Sequence, residues 1–279
     1  MREITVTTII DTIEQLCIDA CYTLGDDVKN LLKEASKNEE SPFGTSILSQ
    51  ILENIDISQR EHLPLCQDTG MTVVFLEIGQ DVHIIGGNLY DAINEGVRRG
   101  YQKGYLRKSI LSPLKRVNTG DNTPAIIHTE IIDGNTLKIT IAPKGFGSEN
   151  MSKLAMLKPS DGIEGVKRFI IETVVQAGAN PCPPIILGVG IGGTMEKAAY
   201  IAKKALLRKA GQSNIDPEIA SLEKELLSAI NKTGIGPQGL GGRTTALAVH
   251  IDTYPTHLAG LPIAVNIQCH AARHSEAVL

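Results

Sequence analysis

The sequence predicts a mixed α/β (α+β) fold, in which a helical N-terminal region is followed by a mixed sheet with flanking helices. Three observations carry this. Apolar residues recur at helical spacing through the early part of the chain. Short β-rich runs alternate with amphipathic stretches after it, and an Asp-Gly-Asn turn signal separates two of the β-rich runs. The 279 residues are 42% hydrophobic and 21% charged, enough to bury a sizeable core. They predict one domain over 1–279, with a helical lobe over about 1–60 and an α/β part over about 61–279. No repeat or low-complexity linker is visible.

The elements follow in order. Ile10, Ile13, Cys17, Ala20 and Leu24 form one helical stripe, with Thr8 as its expected N-cap. Asp26–Asn38 and Thr45–Ile55 continue the helical pattern. Glu61–Gly70 is rich in turn residues, Met71–Ile78 reads as a strand and Asn88–Lys103 as a helix. Ala125–Ala142 holds two β-rich runs around Asp133-Gly134-Asn135, which predicts a hairpin. A helix is expected over Asp161–Ala177, a strand over Pro184–Val189 and a helix over Thr194–Ala210. Asp216-Pro217 reads as an N-cap and first helical residue. Strands at Thr245–Ile251 and Pro262–Gln268 lead to Cys269.

Net charge is −4, which offers no concentrated basic face for nucleic acid. Arg98–Arg99 and Lys203–Lys204 read as solvated helix faces. The N-terminus lacks the basic and apolar regions of a signal peptide, and no apolar run reaches the ~20 residues that span a bilayer. The expectation is therefore a cytoplasmic protein with no membrane or nucleic-acid partner.

Gly188, Gly190 and Gly193 fit a dinucleotide-binding fingerprint between a strand and a helix. The second strand and the acidic residue about 20 positions on are missing. An anion at the helix N-terminus, or close strand–helix packing, remains as a use for these glycines.

Five cysteines and no secretion signal argue against a disulfide framework. Cys17 and Cys21 sit on the apolar stripe of the first helix and read as core residues. Cys66 (LPLCQDTGM), Cys182 (NPCPPI) and Cys269 (NIQCHAARHS) instead lie at strand–loop junctions among polar residues, where binding groups concentrate. Their wide separation fits neither a zinc ribbon nor a ferredoxin run. They could be three converging ligands, unrelated packing residues, or include a nucleophile paired with His257 or His270. The neighbours Gln67, Asp68, His270, Arg273 and His274 would suit a small dicarboxylate. Three thiolates on a cubane would leave one iron open for Lewis-acid catalysis.

The strings LCQDTG (65–70), VNTGDN (117–122), PKGFGSENMSKL (143–154), NPCPPIILGVGIGGTME (180–196), GIGPQGLGGRTTAL (234–247) and NIQCHAARH (266–274) resemble class I fumarate hydratases. The likeness is to their α subunit, or N-terminal catalytic domain, and runs from about residue 8 to the end. The resemblance implies a [4Fe–4S] cluster on Cys66, Cys182 and Cys269. It implies substrate contacts from Gln67, Asp68, Arg107, Gly145 and Gly147, and catalytic roles for Asp68 and His257. Asp68 could otherwise cap its own turn, Arg107 could be a helix-end charge, and His257 a loop histidine. Lys144, Arg243 and His270 are further candidates.

The implied reaction is reversible hydration of fumarate to (S)-malate, with the cluster as Lewis acid, arginines on the carboxylates and a base at C3. The resemblance places that base in a C-terminal domain, expected here on a separate β subunit within a symmetric hetero-oligomer. L-tartrate dehydratase shares the CQDTG, NPCPP-like and GIGPQG motifs, and mesaconate or another 2-hydroxy dicarboxylate is also compatible. PKGFGSENMS and CHAARH look more like fumarate hydratase.

Overall fold

The structure, a computed structural model, describes residues 1–279. In chain order it runs β1 (Arg2–Thr5), α1 (Val6–Tyr22), α2 (Asp26–Asn38), α3 (Pro42–Glu61), β2 (Met71–Gly79), β3 (Val82–Ile85) and α4 (Leu89–Lys103). Then come β4 (Ile126–Ile132), β5 (Leu137–Lys144), α5 (Phe146–Glu149), β6 (Lys153–Leu157), α6 (Gly162–Ala177) and β7 (Ile185–Gly192). The chain finishes with α7 (Met195–Ala205), α8 (Pro217–Asn231), β8 (Ala246–Tyr254), β9 (Leu261–Gln268) and β10 (Ser275–Val278). The mixed α/β class predicted from sequence is the class observed. No helix is long and apolar enough to cross a membrane.

Two compact units divide the chain. The first comprises Met1–Leu24, Ile55–Phe146 and Arg273–Leu279, and the second Gly25–Asn54 and Gly147–Ala272. The early helices are thus shared out: α1 belongs to the first unit and α2 to the second.

In the first unit, α1 starts earlier than its sequence cap suggests. Thr5, in extended conformation, accepts the Thr8 amide at 3.2 Å, because β1 ends there after pairing with β3. Ile9, Ile13 and Cys17 of α1 pack with Ile93, Val97 and Tyr101 of α4 over Val74, Leu76, Ile139 and Ile141 of the sheet.

That sheet has the order β10-β5-β2-β4. The expected β4–β5 hairpin does not form, since β2 lies between the two, parallel to β4 and antiparallel to β5. The Asp133-Gly134-Asn135 turn crosses the end of β2 instead. Gly79, Gln80 and Asp81 donate their amides to Thr136, Ile132 and Gly134 carbonyls at 2.8, 2.9 and 3.0 Å. A Cβ at Gly79 would stand 2.4 Å from the Gly134 oxygen, so the crossing needs glycine there. Turn chemistry was legible; the strand inserted under the turn was not.

The second unit carries a sheet of order β6-β9-β7-β8 with the same pairing pattern. Its central strand β7 is parallel to β8 and antiparallel to β9, and β6 is antiparallel to β9. In the first unit, β2, β4, β5 and β10 stand in those same relations. Ile185, Leu187 and Val189 of β7 face one way and pack with Val166, Ile170, Leu226 and Ile230. Gly188 and Gly190 face the other way, where a Cβ would meet the Ala202 and Ala198 oxygens at 2.1 Å. The glycine spacing is therefore the period of two of a strand, seating α7 directly on β7. This is the close-packing use left open by the sequence.

Candidate functional site

Cys17 and Cys21 are fully buried, as expected of core residues, and burial raises both thiols, Cys21 to about 11. The other three cysteines are partly or fully exposed and flank central strands: Cys66 precedes β2, Cys182 precedes β7, and Cys269 follows β9. Reagents can reach these three, and only with difficulty the first pair.

In the first unit the structure brings together Cys66, Gln67, Asp68, Arg107 and Gly145. The Cys66 thiol donates to Gln67 Oε1 at 3.3 Å, and the Gln67 side chain is exposed. Asp68 Oδ1 accepts the Gly70 amide at 3.0 Å, so the turn-capping role is real. Its Oδ2 accepts the Phe146 amide at 2.9 Å, tying the turn to the end of β5. A Cβ at Gly145 would stand 3.1 Å from that same oxygen. A larger residue at 145 would crowd the carboxylate.

Three buried side chains fix the backbone of this turn. The Tyr101 hydroxyl donates to the Thr69 carbonyl at 2.7 Å and lies 3.2 Å from that of Gly70. Asn122 donates to the Gly70 carbonyl at 3.2 Å and accepts the Ser109 amide at 2.7 Å. Arg273 Nη2 donates to the Asp68 carbonyl. The Thr69 hydroxyl reaches the Arg107 carbonyl at 2.9 Å, anchoring an exposed Arg107 beside the turn. Lys144, predicted as a supporting group, is buried at the end of β5.

In the second unit, Cys182 holds a left-handed conformation (φ 56°) and donates its amide to Ala179 at 3.0 Å. His270, directly after Cys269, places its amide 3.4 Å and its Nδ1 3.0 Å from the Cys182 carbonyl. The two cysteine-bearing segments therefore meet in this unit. Gln238 joins them again: its amide and its Nε2 both donate to the Pro183 carbonyl at 2.8 Å, and Nε2 lies 3.2 Å from His270 Nδ1.

The loop after Gln238 is fastened by Glu39, which accepts the Arg243 amide at 2.9 and 3.0 Å and the Thr244 amide at 3.1 Å. Burial pushes the Glu39 carboxyl up. Amides of Arg243, Ser41, Thr244 and Glu40 outweigh that and hold it below the usual range. The Arg243 side chain lies at the surface, 3.1 Å from Glu40.

Within the second unit, Gly147 lies against the segment leading into Cys182, and His257 lines a cleft of its own. His257 is exposed, accepts the Ala259 amide at 3.2 Å and lines a cleft of about 540 Å3 with Thr194, Lys197, Tyr200 and Tyr254. Lys197 Nζ sits 4.6 and 5.0 Å from the Tyr254 and Tyr200 ring centroids. No other predicted site residue lines that cleft. A Cβ at Gly147 would make only an ordinary contact, 3.5 Å from the Asn180 oxygen.

Sequence reasoning missed Tyr101, Asn122, Glu39 and Gln238. Asn122 and Gln238 lie inside the quoted motifs VNTGDN and GIGPQGLGG, and both take left-handed backbone, at φ 62° and 52°. That placement is a usable signal for a structural amide. Glu39 gave none, because its partners lie about two hundred positions later.

The sequence model of the fumarate hydratase (Fumerase) family matches residues 10–278. A Methanocaldococcus jannaschii protein, provisionally named L(+)-tartrate dehydratase subunit alpha, is 47% identical over 273 residues and 96% of each chain. The L(+)-tartrate dehydratase subunit alpha of Escherichia coli K12 is 33% identical over 252 residues, 89% of this chain and 83% of its own. The protein of that name in Shigella sonnei has the same identity and coverage. The class is that of the hydro-lyases. The chain belongs to the fumarate hydratase (Fumerase) family.

Proposed function

We propose that this chain is the α subunit of a two-subunit hydro-lyase that adds water to, or removes it from, a four-carbon dicarboxylate. The observation that carries this reading is the family match over nearly the whole chain. The subunit-alpha names of the relatives support a β partner, in a symmetric assembly.

Cys66, Cys182 and Cys269 would hold a [4Fe–4S] cluster. The donor set fits: three accessible thiols on loops, each joined to the end of a central-layer strand, against two buried thiols raised by desolvation. Such a cluster, when bound by three thiolates, supplies a Lewis-acidic iron for a substrate hydroxyl and carboxylate.

The chain's own residues then bind and orient. The exposed Arg107 guanidinium offers a bidentate fork for a carboxylate. The Gln67 amide offers both donor and acceptor beside it. Asp68 is held with one oxygen on Gly70 and the other on Phe146, and each oxygen keeps a second lone pair with which to accept a substrate hydroxyl. Gly145 leaves room beside that carboxylate. His257, in its own cleft, is proposed as a further acid–base group.

Fumarate and malate are the first substrate pair, from the fumarate hydratase-like PKGFGSENMS and CHAARH strings. L(+)-tartrate is the second, favoured by the names of the relatives. The test is anaerobic turnover of the chain mixed with its β subunit, on malate, fumarate and L(+)-tartrate in parallel. Arg107→Lys should lower kcat/KM on the true substrate by about a hundredfold, as loss of a bidentate carboxylate contact does. Absence of turnover on all three by the cluster-loaded pair would reject the reading.

A further inference from the structure

We infer that Gln238 is a positioning residue that clamps the Cys182 turn to the strand end carrying Cys269. The inference rests on the proposed role of these two cysteines and extends it to the GIGPQG motif, which otherwise has no assigned function.

The geometry is specific. Cys182 and Cys269 are carried by different segments, one entering β7 and the other leaving β9. The Cys182-Pro183-Pro184 run offers few amide donors, because two of its three residues are proline. Its carbonyls are therefore the natural handles, and those of Cys182 and Pro183 are used. The Cys182 carbonyl accepts the His270 amide at 3.4 Å. The Pro183 carbonyl takes two donors from one residue, the amide and the Nε2 of Gln238. A carbonyl accepts only, which fixes the orientation of the Gln238 amide with its NH2 toward Pro183.

The same nitrogen lies 3.2 Å from His270 Nδ1, which accepts its second N–H when the imidazole proton is on Nε2, so one side chain spans both segments. Gln238 reaches this place only by left-handed backbone, φ 52°, between Pro237 and Gly239. A Cβ at Gly239 would stand 2.3 Å from the Ala179 Cβ, so this loop is seated against the segment leading into Cys182. A glutamine in strained backbone, donating twice to a single carbonyl, is costly unless its position matters.

Gln238→Glu preserves shape and removes the side-chain donor, while Gln238→Gly relieves the backbone and removes the side chain. Both are compared with wild type as the full 279-residue chain, by amide exchange in the cluster-free protein and by iron content after anaerobic reconstitution. Exchange in the 268–271 segment should quicken about tenfold in each variant, as loss of one supporting hydrogen bond does. Exchange across β7 and β9 should stay within about twofold of wild type. Iron content should fall in both variants.

Unchanged exchange at 268–271 overturns the inference. So does equal acceleration throughout β7 and β9, which would make Gln238 a general stability residue. Variants that retain full iron also overturn it. If wild type takes up no iron while the exchange pattern appears as expected, the clamp stands and the proposed cluster falls.

Discussion

The two units repeat one sheet plan and build their cysteine turns in opposite ways. Each has a central strand, β2 or β7, with a parallel neighbour on one side and an antiparallel one on the other. Each has a cysteine turn just before that strand. In the first unit, buried side chains from elsewhere, Tyr101, Asn122 and Arg273, hold the carbonyls of the Asp68–Gly70 turn. In the second, left-handed backbone at Cys182 and Gln238 does much of the shaping, and Gln238 gives the Pro183 carbonyl one side-chain and one backbone donor. A shared topology sets where a reactive turn falls in the chain. The means of fixing it is local.

The strands beneath the turns differ just as sharply, and this gives the largest expected effect. β2 is bulky throughout its middle, with Val73, Val74, Phe75 and Leu76 all buried. β7 alternates aliphatic residues with glycine. Gly190→Ala should cost about 3 kcal/mol in urea unfolding, because the new methyl meets a helix backbone oxygen and not a pliable side chain. Gly147→Ala, with only an ordinary contact to make, should cost under about 1 kcal/mol. Equal costs at the two positions would remove the packing account of the glycine fingerprint.

The second unit also carries the clearest pH sensitivity. His250 is buried, donates Nδ1–H to the Ala205 carbonyl at 3.1 Å, and burial holds its pKa down at about 4. The unfolded imidazole takes its proton near pH 6.5, so unfolding binds a proton between these limits. Stability is then full above about pH 6.5 and declines toward pH 4, by on the order of 3 kcal/mol. Glu39 acts at lower pH: its depressed carboxyl stabilises the fold above its unfolded pKa, and that contribution is lost as pH falls through the folded one. Urea unfolding of His250→Gln as a function of pH should lose the upper limb and keep the lower. A variant that retained the decline between pH 6.5 and 4 would assign it to other groups.

Smaller effects separate the two ways of holding a turn. Tyr101→Phe removes the donor to the Thr69 and Gly70 carbonyls and should cost about 1–2 kcal/mol, since two buried acceptors lose a partner. Faster amide exchange should appear at 66–70 and not at 180–184. An effect at both segments would contradict the separate construction of the two turns.

The sequence displayed most of the helices and the central strands, because 3.6- and 2-residue periods are local properties. It did not display β1, β3, β6 or β10, strands of four or five residues whose partners are distant in the chain. The split of β4 and β5 by β2 was hidden for the same reason. The repeated sheet plan left no repeat in the sequence: β7 alternates aliphatic residues with glycine, while the middle of β2 is bulky throughout. Of the site, the residues that cluster around Asp68 and around Cys182 were legible as motifs. The groups that hold them were not, since Tyr101, Glu39 and Gln238 work across long stretches of chain.

The most direct test of the central claim is iron counting after anaerobic reconstitution of wild type and of single Cys→Ser variants at positions 17, 21, 66, 182 and 269. Wild type, Cys17→Ser and Cys21→Ser should bind about four irons per chain, and Cys66→Ser, Cys182→Ser and Cys269→Ser should lose the cluster. No iron in wild type, or full retention by all three loop variants, would contradict the account.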